Sequence, residues 1–190
     1  MSKKTAPIYQ LKITLNGAKP PIWRRVLVSN EITLSKLHHV IQDAMGWYDS
    51  HLHMFMIGRE RYSEPSPYDP SLLAELEAKS THRVKLSKFN LSEGAKFIYD
   101  YDFGDSWEHI ILLEKILPPD PKLKTPVCIK GKRACPPEDV GGIWGYAEFV
   151  EALKDPNHPQ HEDYRDWIGD DFDSEAFDLD RVNARLKQIK

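Results

Sequence analysis

The sequence predicts an α+β fold in which a mainly antiparallel sheet is packed by a helix near the N-terminus and by a C-terminal helical segment docked on the same core. Apolar residues alternate, as in half-buried strands, in five segments: 8–15, 22–28, 52–57, 96–103 and 106–116. In segment 33–45 and in the region after residue 141, apolar residues recur at the spacing of an amphipathic helix instead. We therefore expect a single domain over residues 1–190, with a sheet-rich part (1–117), a basic loop (118–140) and a helical tail (141–190).

The first two strands and the first helix are separated by residues that interrupt regular structure. Asn16-Gly17 and Pro20-Pro21 end the first strand and precede the second. Thr33 can cap the helix at its start, and Gly46 can end it. The apolar stripe between them contains Leu34, Leu37, Val40, Ile41, Ala44 and Met45, with His38 along the stripe and His39 off it.

The third strand carries two histidines on one face, because alternation puts His51, His53 and Phe55 on the same side. Three prolines between residues 63 and 71 exclude a regular element there. Beyond them, 72–78 predicts a short helix and 84–86 a minor strand.

A hairpin is predicted around the two-residue turn Gly104-Asp105, because glycine tolerates the positive φ of a type II′ turn. In the resulting register, Asp102 faces Trp107 and Asp100 faces His109. These four side chains then share one face, and the opposite face packs on the first helix. That opposite, core-facing side contains Phe97, Tyr99, Tyr101, Phe103, Ile110 and Leu112.

The last third of the chain joins a basic loop to an acidic helical tail. Residues 121–133 contain five Lys or Arg and no acid, whereas residues 148–180 contain twelve acids and two cations, which makes attraction between the two segments plausible. A solvated helical face is the ordinary cause of such an acidic run. Helices are predicted at 146–153, 162–167 and 174–187, where repeated apolar residues should dock on the core.

Composition excludes several classes of protein. Lys and Arg number 26 against 29 acids, so the formal net charge of -3 gives no general attraction to nucleic acid or to an anionic membrane. Neither an N-terminal apolar run behind Met1 nor an apolar stretch of about 18 residues is present, so we expect no signal peptide, no membrane span and a cytoplasmic protein. Cys128 and Cys135 match no zinc-site spacing and predict two reduced thiols.

Candidate binding residues gather at the predicted hairpin tip and on the third strand. The ligand-binding set contains Asp100, Asp102, Asp105, Trp107, His109, His51 and His53. Within it, the candidate metal ligands are His51, His53, Asp105 and His109, because imidazole and carboxylate suit Zn, Mn or Fe. A divalent metal ion is thus the cofactor that the set suits. With a metal or a catalytic water in place, His109 would serve as ligand or base, Asp100 would orient it, and hydrolysis would be the reaction to test.

Two other interpretations stay open. Asp100 opposite His109 can be an exposed cross-strand pair, which contributes about a few tenths of a kcal/mol. Alternatively, the chain is a non-catalytic interaction module that uses the basic loop or the acidic tail to bind a protein. The net charge, together with the lack of a basic groove-reading helix, disfavours nucleic acid as the partner. Whether the protein is an enzyme, and which small molecule it binds, the sequence leaves open.

Six blocks spread over nearly the whole chain carry a family resemblance. They are PPIWRRVLV (20–28), LHHVIQDAMGW (37–47), SHLHMF (50–55), YDFGDSWEH (101–109), ACPPEDVGGIWGY (134–146) and DDFDSEAFDLDRVNARL (170–186). In this order the blocks closely resemble the plasmid pRiA4b ORF-3-like family. The resemblance implies one family domain and a link to plasmid or mobile-element biology, with no established biochemical activity.

Some relatives in that family bear a transposon-resolvase label, and others join the domain to small metal-binding modules. Serine recombination needs a nucleophilic serine among arginines, whereas here Arg24 and Arg25 stand on one strand, point to opposite faces and have no serine block beside them. Relatives often have cysteine where this chain has Val140, so a three-thiol metal set with Cys128 and Cys135 would be incomplete.

Overall fold

The structure is a computed structural model that describes residues 6–66 and 68–189. It contains one eight-stranded sheet with the strand order β5-β4-β3-β6-β7-β1-β2-β8. The strands are β1 (Ile8–Leu15), β2 (Trp23–Ser29), β3 (His53–Ile57), β4 (Glu60–Ser63), β5 (Ala78–Ser80), β6 (Lys96–Tyr101), β7 (Trp107–Leu117) and β8 (Val127–Lys132). The helices are α1 (Leu34–Met45), α2 (Leu72–Glu75), α3 (Gly142–Lys154), α4 (His161–Ile168) and α5 (Leu179–Leu186), with a 3-10 turn at Leu86–Phe89.

The predicted α+β class is confirmed, since every strand pair is antiparallel except β4 with β5. The five strands expected from alternation lie within about two residues of their predicted bounds at each end. Three short strands were not expected: β4, β5 and β8. The prediction that 118–140 is a loop is wrong at Val127–Lys132, which pairs with β2 as an edge strand. The minor strand expected at 84–86 is reduced to a single bridge between Thr33 and Lys85.

One face of the sheet is buried by the helices. α1 packs there: Gln42 Nε2 donates to the Tyr99 hydroxyl, and Arg24 Nε of β2 donates to the Ala44 carbonyl. α1 begins after Thr33, whose hydroxyl accepts from the Lys36 N–H, and it ends at Gly46 with φ 118°. The opposite face of the sheet carries half-exposed polar side chains such as Lys12 and Arg25.

The C-terminal helices contribute to the same buried cluster as the sheet, through Phe149 of α3 and Leu186 of α5. Arg185 connects α5 to α1, since its guanidinium donates to Asp43 Oδ1 and to the Trp47 carbonyl. Asn183 exchanges two hydrogen bonds with the backbone of Cys128 in β8. The single-domain organisation over residues 1–190 stays a prediction that fits these contacts.

The register of the central hairpin differs from the predicted one by one residue. β6 pairs with β7 so that Tyr101 faces Trp107, Tyr99 faces His109 and Asp100 faces Glu108. The connecting loop therefore has five residues, 102–106, and the predicted two-residue Gly-Asp turn is wrong.

Asp102 stabilises this longer loop from within. Its Oδ1 atom accepts hydrogen bonds from the backbone N–H groups of Gly104 and Asp105, and its carbonyl accepts from the Ser106 N–H. Asp102 and Ser106 adopt left-handed φ values of 58° and 54°. An aspartate side chain that bonds the backbone ahead of it favours such a turn over a minimal hairpin.

The shifted register changes which side chains face the core. Trp107, His109, Ile111 and Leu113 of β7 are buried, whereas Ile110 and Leu112 alternate with them on the other face. Asp100 and His109 therefore lie on opposite faces, which contradicts their predicted pairing.

No helix in the described part of the chain is both long enough and apolar enough to cross a membrane. The signal-peptide expectation rests on residues that include 1–5, which lie outside the described ranges.

Candidate metal centre

A histidine and three carboxylates meet where three connecting segments approach one another. His51 Nε2 lies 3.3 Å from Glu138 Oε2, 3.3 Å from Asp139 Oδ1 and 3.7 Å from Asp102 Oδ2. This buried nitrogen has no hydrogen-bond partner among the described residues. One donor atom each from His51, Asp102 and Asp139 lie within 4.8 Å of one another, a spacing that one metal ion can span.

The fold brings these residues together through the pairing of β3 with β6. His53 at the start of β3 faces Tyr101 at the end of β6, so the residues just outside both strands are neighbours. The Asp102 N–H continues this ladder by donating to the Leu52 carbonyl, 2.9 Å away. His51 therefore lies beside Asp102, a proximity that follows from antiparallel pairing alone.

Glu138 is held in place from two sides. Its Oε1 atom accepts from the Tyr48 N–H at 2.7 Å, and the Tyr101 hydroxyl donates to its carboxylate at 3.1 Å. The Tyr101 oxygen in turn accepts from the Ser50 N–H at 2.9 Å. Burial, together with the charge of Glu138, raises the pKa of Tyr101, so the phenol stays a proton donor toward the carboxylate.

Asp102 and Asp139 differ in their exposure. Asp102 is 8% exposed and directs one oxygen at its own loop and the other toward His51. The Asp139 side chain is 73% exposed, so the cluster can be reached from solvent on that side. Both residues adopt left-handed backbone conformations, with φ near 58° and 59°. Aspartate tolerates this conformation better than most residues other than glycine, because its short side chain can hydrogen-bond the local backbone.

Of the predicted binding residues, His51 and Asp102 lie in this cluster, and the others lie elsewhere. Asp105 Oδ2 accepts from the Gly141 N–H at 3.1 Å and so joins the hairpin loop to the start of α3. Trp107 is fully buried, with its ring 5.8 Å from that of Trp47.

His53 and His109 are core residues of the sheet. His53 stacks on His38 with ring centroids 3.6 Å apart, and burial together with His38 lowers the pKa of His53 to about 3. His109 is completely buried with its ring edge-on to Trp47, and burial lowers its pKa to about 4. Asp100 lies on the opposite face, where burial and the charge of Glu108 raise its pKa to about 6.

Sequence reasoning missed Glu138 and Asp139, which supply half of the cluster. The available signal was a pair of acids in an otherwise basic loop, within the block ACPPEDVGGIWGY. Without the fold, nothing indicated that this pair approaches a histidine almost ninety residues earlier.

A second group, formed by His38, His39 and Asp49, has similar ligand spacing but a different chemistry. His38 Nδ1 lies 2.7 Å from the Tyr99 hydroxyl, and its Nε2 lies 2.7 Å from Asp49 Oδ1. Gln42 closes the ring by donating to Tyr99 and accepting from the Asp49 N–H. Burial is the largest influence on Asp49 and alone would raise its pKa, but the hydrogen bond with His38, together with the charges of nearby histidines, lowers that pKa. Because both nitrogens of His38 are engaged, this group is a hydrogen-bonded ring.

Comparisons with known proteins support the fold. The model of the plasmid pRiA4b ORF-3-like protein family matches residues 7–181. An uncharacterized protein, y4hQ, from Sinorhizobium fredii (strain NBRC 101917 / NGR234) is 41% identical over 192 residues, which cover 97% of this chain and 93% of the relative. The crystal structure of a protein of unknown function, MM3350 from Methanosarcina mazei Go1, is 40% identical with a TM-score of 0.82, covering 93% of this chain and 98% of the other.

Proposed function

We propose that this chain, which belongs to the plasmid pRiA4b ORF-3-like family, binds a divalent first-row transition metal ion. The ligands are His51, Asp102 and Asp139, whose donor atoms lie within 4.8 Å of one another, and Glu138 lies beside them at 3.3 Å from His51 Nε2. The observation that carries the proposal is the His51 Nε2 atom, which is buried, has no hydrogen-bond partner among the described residues and is surrounded by three carboxylates.

The distances fit ligands of one metal ion better than hydrogen bonds. An N–H···O bond has a heavy-atom distance of about 2.7–3.2 Å, and the three nitrogen-to-oxygen distances here run from 3.3 to 3.7 Å. Two ligand atoms held about 2.0–2.2 Å from a tetrahedral metal ion are separated by about 3.3–3.6 Å. The spacing is therefore close to that expected around Zn²⁺, and the carboxylate-rich set also suits Mn²⁺ or Fe²⁺.

The charge of the cluster favours a cation. Asp102, Glu138 and Asp139 together carry three formal negative charges, and no Lys or Arg of the described residues forms an ion pair with any of them. A divalent ion would offset most of this charge at close range. Protonation of His51 would offset only one unit, which is the competing explanation of the cluster.

Isothermal titration of metal-stripped protein with Zn²⁺, Mn²⁺ and Fe²⁺ tests the proposal, with metal content measured on protein purified without a metal-affinity column. We expect one equivalent of metal to bind. His51→Ala and Asp102→Asn should each weaken binding by about tenfold or more, as ligand losses do. The matched control is His39→Ala, which removes an exposed histidine beside the hydrogen-bonded ring and should leave binding within about twofold of wild type.

Failure of the wild type to bind any of the three ions would refute the proposal. So would equal losses in His39→Ala and His51→Ala, because the free nitrogen of His51 would then have no special role. A thermal melt of each variant without metal confirms that the fold is retained.

A further inference from the structure

A second feature of the described residues that can hold a ligand is a cavity with a volume of about 760 Å³. Its walls are α3, the connection between β1 and β2 at residues 16–22, and the start of β7. The volume lies in the range of about 300–1,000 Å³ that small-molecule sites occupy.

α3 presents two apolar stripes, of which only one is buried. Tyr146, Phe149 and Ala152 face the core and are buried. Ile143, Ala147 and Val150 recur at helical spacing on a second stripe that lines the cavity, and they are half-buried or exposed. Ile143 and Val150 also pack in part against the core cluster, and the rest of their apolar surface, with that of Ala147, faces the cavity.

Trp144 lies at the rim of the cavity beside this stripe. Its side chain is 86% exposed, although a ring of this size usually buries about 150–250 Å². Exposed tryptophan beside a concave apolar surface is typical of a binding site.

The charged residues of the cavity leave an excess of positive charge. Arg133 is paired with Glu175 at 2.8 Å, and Glu108 accepts a hydrogen bond from the Asn16 amide. Glu108 keeps its negative charge, whereas Lys19 and Lys154 form no ion pair with any described residue, so the cavity carries an excess of one positive charge. Lys154 ends the second stripe about 16 Å from Ile143, at the helical rise per residue.

We propose that this cavity binds an elongated amphipathic anion, with an aromatic or acyl body and one carboxylate, sulfonate or phosphate group. The body lies along Ile143, Ala147 and Val150 with Trp144 against it, and the anionic group pairs with Lys19 or Lys154. Apolar lining and charge complementarity carry this assignment, which is independent of the metal centre.

The fluorescent anion 1-anilinonaphthalene-8-sulfonate serves as the probe, and N-phenyl-1-naphthylamine, which has the same rings without the sulfonate, serves as its neutral counterpart. Both are titrated into the folded protein in the presence of EDTA, so that the result does not depend on metal. We expect one equivalent of the anion to bind, and decanoate to displace it.

Trp144→Ala should weaken binding of both probes by about fivefold or more, because the ring contacts the shared apolar body. The double variant Lys19→Glu with Lys154→Glu should weaken only the anion by about fivefold or more. The matched control, Lys96→Glu with Lys122→Glu, changes the net charge equally on exposed lysines outside the cavity and should leave the affinity for the anion within about twofold.

Thermal melts verify that the variants fold, as their exposed positions predict. An absence of probe binding by the wild type would overturn the assignment. A loss below about fivefold in Trp144→Ala or in the double Lys variant, or an equal loss in the Lys96 and Lys122 control, would overturn it as well.

Discussion

Replacing the completely buried His109 by leucine should stabilise the protein, most of all in mild acid. The imidazole is 0% exposed, and neither of its nitrogens forms a hydrogen bond of acceptable geometry within the described residues. Carbonyl groups of Trp107 and Tyr99 lie near enough to favour the charged ring, yet burial outweighs them and lowers the pKa of His109 from 6.5 to about 4. A buried polar group without a partner costs about 1–3 kcal/mol, and leucine has nearly the same volume.

The pH dependence follows from the sign of that pKa shift. Because the folded pKa of His109 is below its unfolded value, the unfolded chain binds the proton more tightly. The stability associated with the neutral ring is then fully present above about pH 6.5 and is lost as the pH falls toward 4. When the pH falls from about 7.5 to about 5, the unfolded chain binds a proton at His109 that the folded protein does not bind. With these two pKa values, the free energy of unfolding decreases by about 2 kcal/mol.

Urea denaturation of wild type and His109→Leu at both pH values measures this effect. We expect the variant to be at least as stable as wild type near neutral pH and to lose about 2 kcal/mol less on acidification. His39→Leu, which removes an exposed imidazole, should lose as much as wild type. Equal losses in wild type and His109→Leu would show that His109 does not stay neutral in the folded protein, and the reasoning would be wrong.

Two further substitutions test the corrected hairpin register. Trp107→Ala should lower the free energy of unfolding, measured in urea, by about 3–5 kcal/mol, because the indole is fully buried against Trp47. Asp100→Asn should be more stable than wild type at about pH 7.5 and should lose that advantage near pH 4. The reason is that the pKa of Asp100 is raised in the folded protein, so its negative charge opposes folding as the pH rises from about 4 through 6. A cost of Trp107→Ala below about 1 kcal/mol, or an advantage of Asp100→Asn that grows in acid, would contradict the observed register.

The main strands and the first helix could be predicted because their signals are local. Alternation in 8–15 gives β1 its observed bounds, and Thr33 and Gly46 mark the ends of α1 through hydrogen bonding and backbone conformation. β8 has no comparable signal, since it is six residues long and includes Gly131. Such an edge strand is stabilised by pairing with β2, including a bulge between Arg25 and Val26, which the segment itself does not reveal.

The hairpin register could not be predicted from turn residues alone. Gly104-Asp105 satisfies the rule for a two-residue turn, but the side chain of Asp102 offers the loop backbone two hydrogen bonds that the shorter turn lacks. The choice between the two loops shifts β7 relative to β6 by one residue. Because strand side chains alternate, that shift moves His109 and Trp107 into the core.

The same alternation explains why some of the predicted binding residues lie in the core and others lie at the candidate metal centre. Along β3, β6 and β7, inward-facing residues such as His53, Tyr99 and His109 are enclosed by α1 and cannot meet solvent. On this face of the sheet, polar side chains stay accessible just beyond the strand ends, where the helix no longer covers them.

His51 and Asp102 occupy those positions on neighbouring antiparallel strands, so their proximity depends on topology and not on the hairpin register. The remaining partners come from the segment before α3, which Asp105 joins to the hairpin loop through the Gly141 N–H. The three sequence blocks SHLHMF, YDFGDSWEH and ACPPEDVGGIWGY thus each place acidic or imidazole groups in one cluster. In the proposed metal-bound form, a divalent ion would offset the repulsion among these like-charged carboxylates.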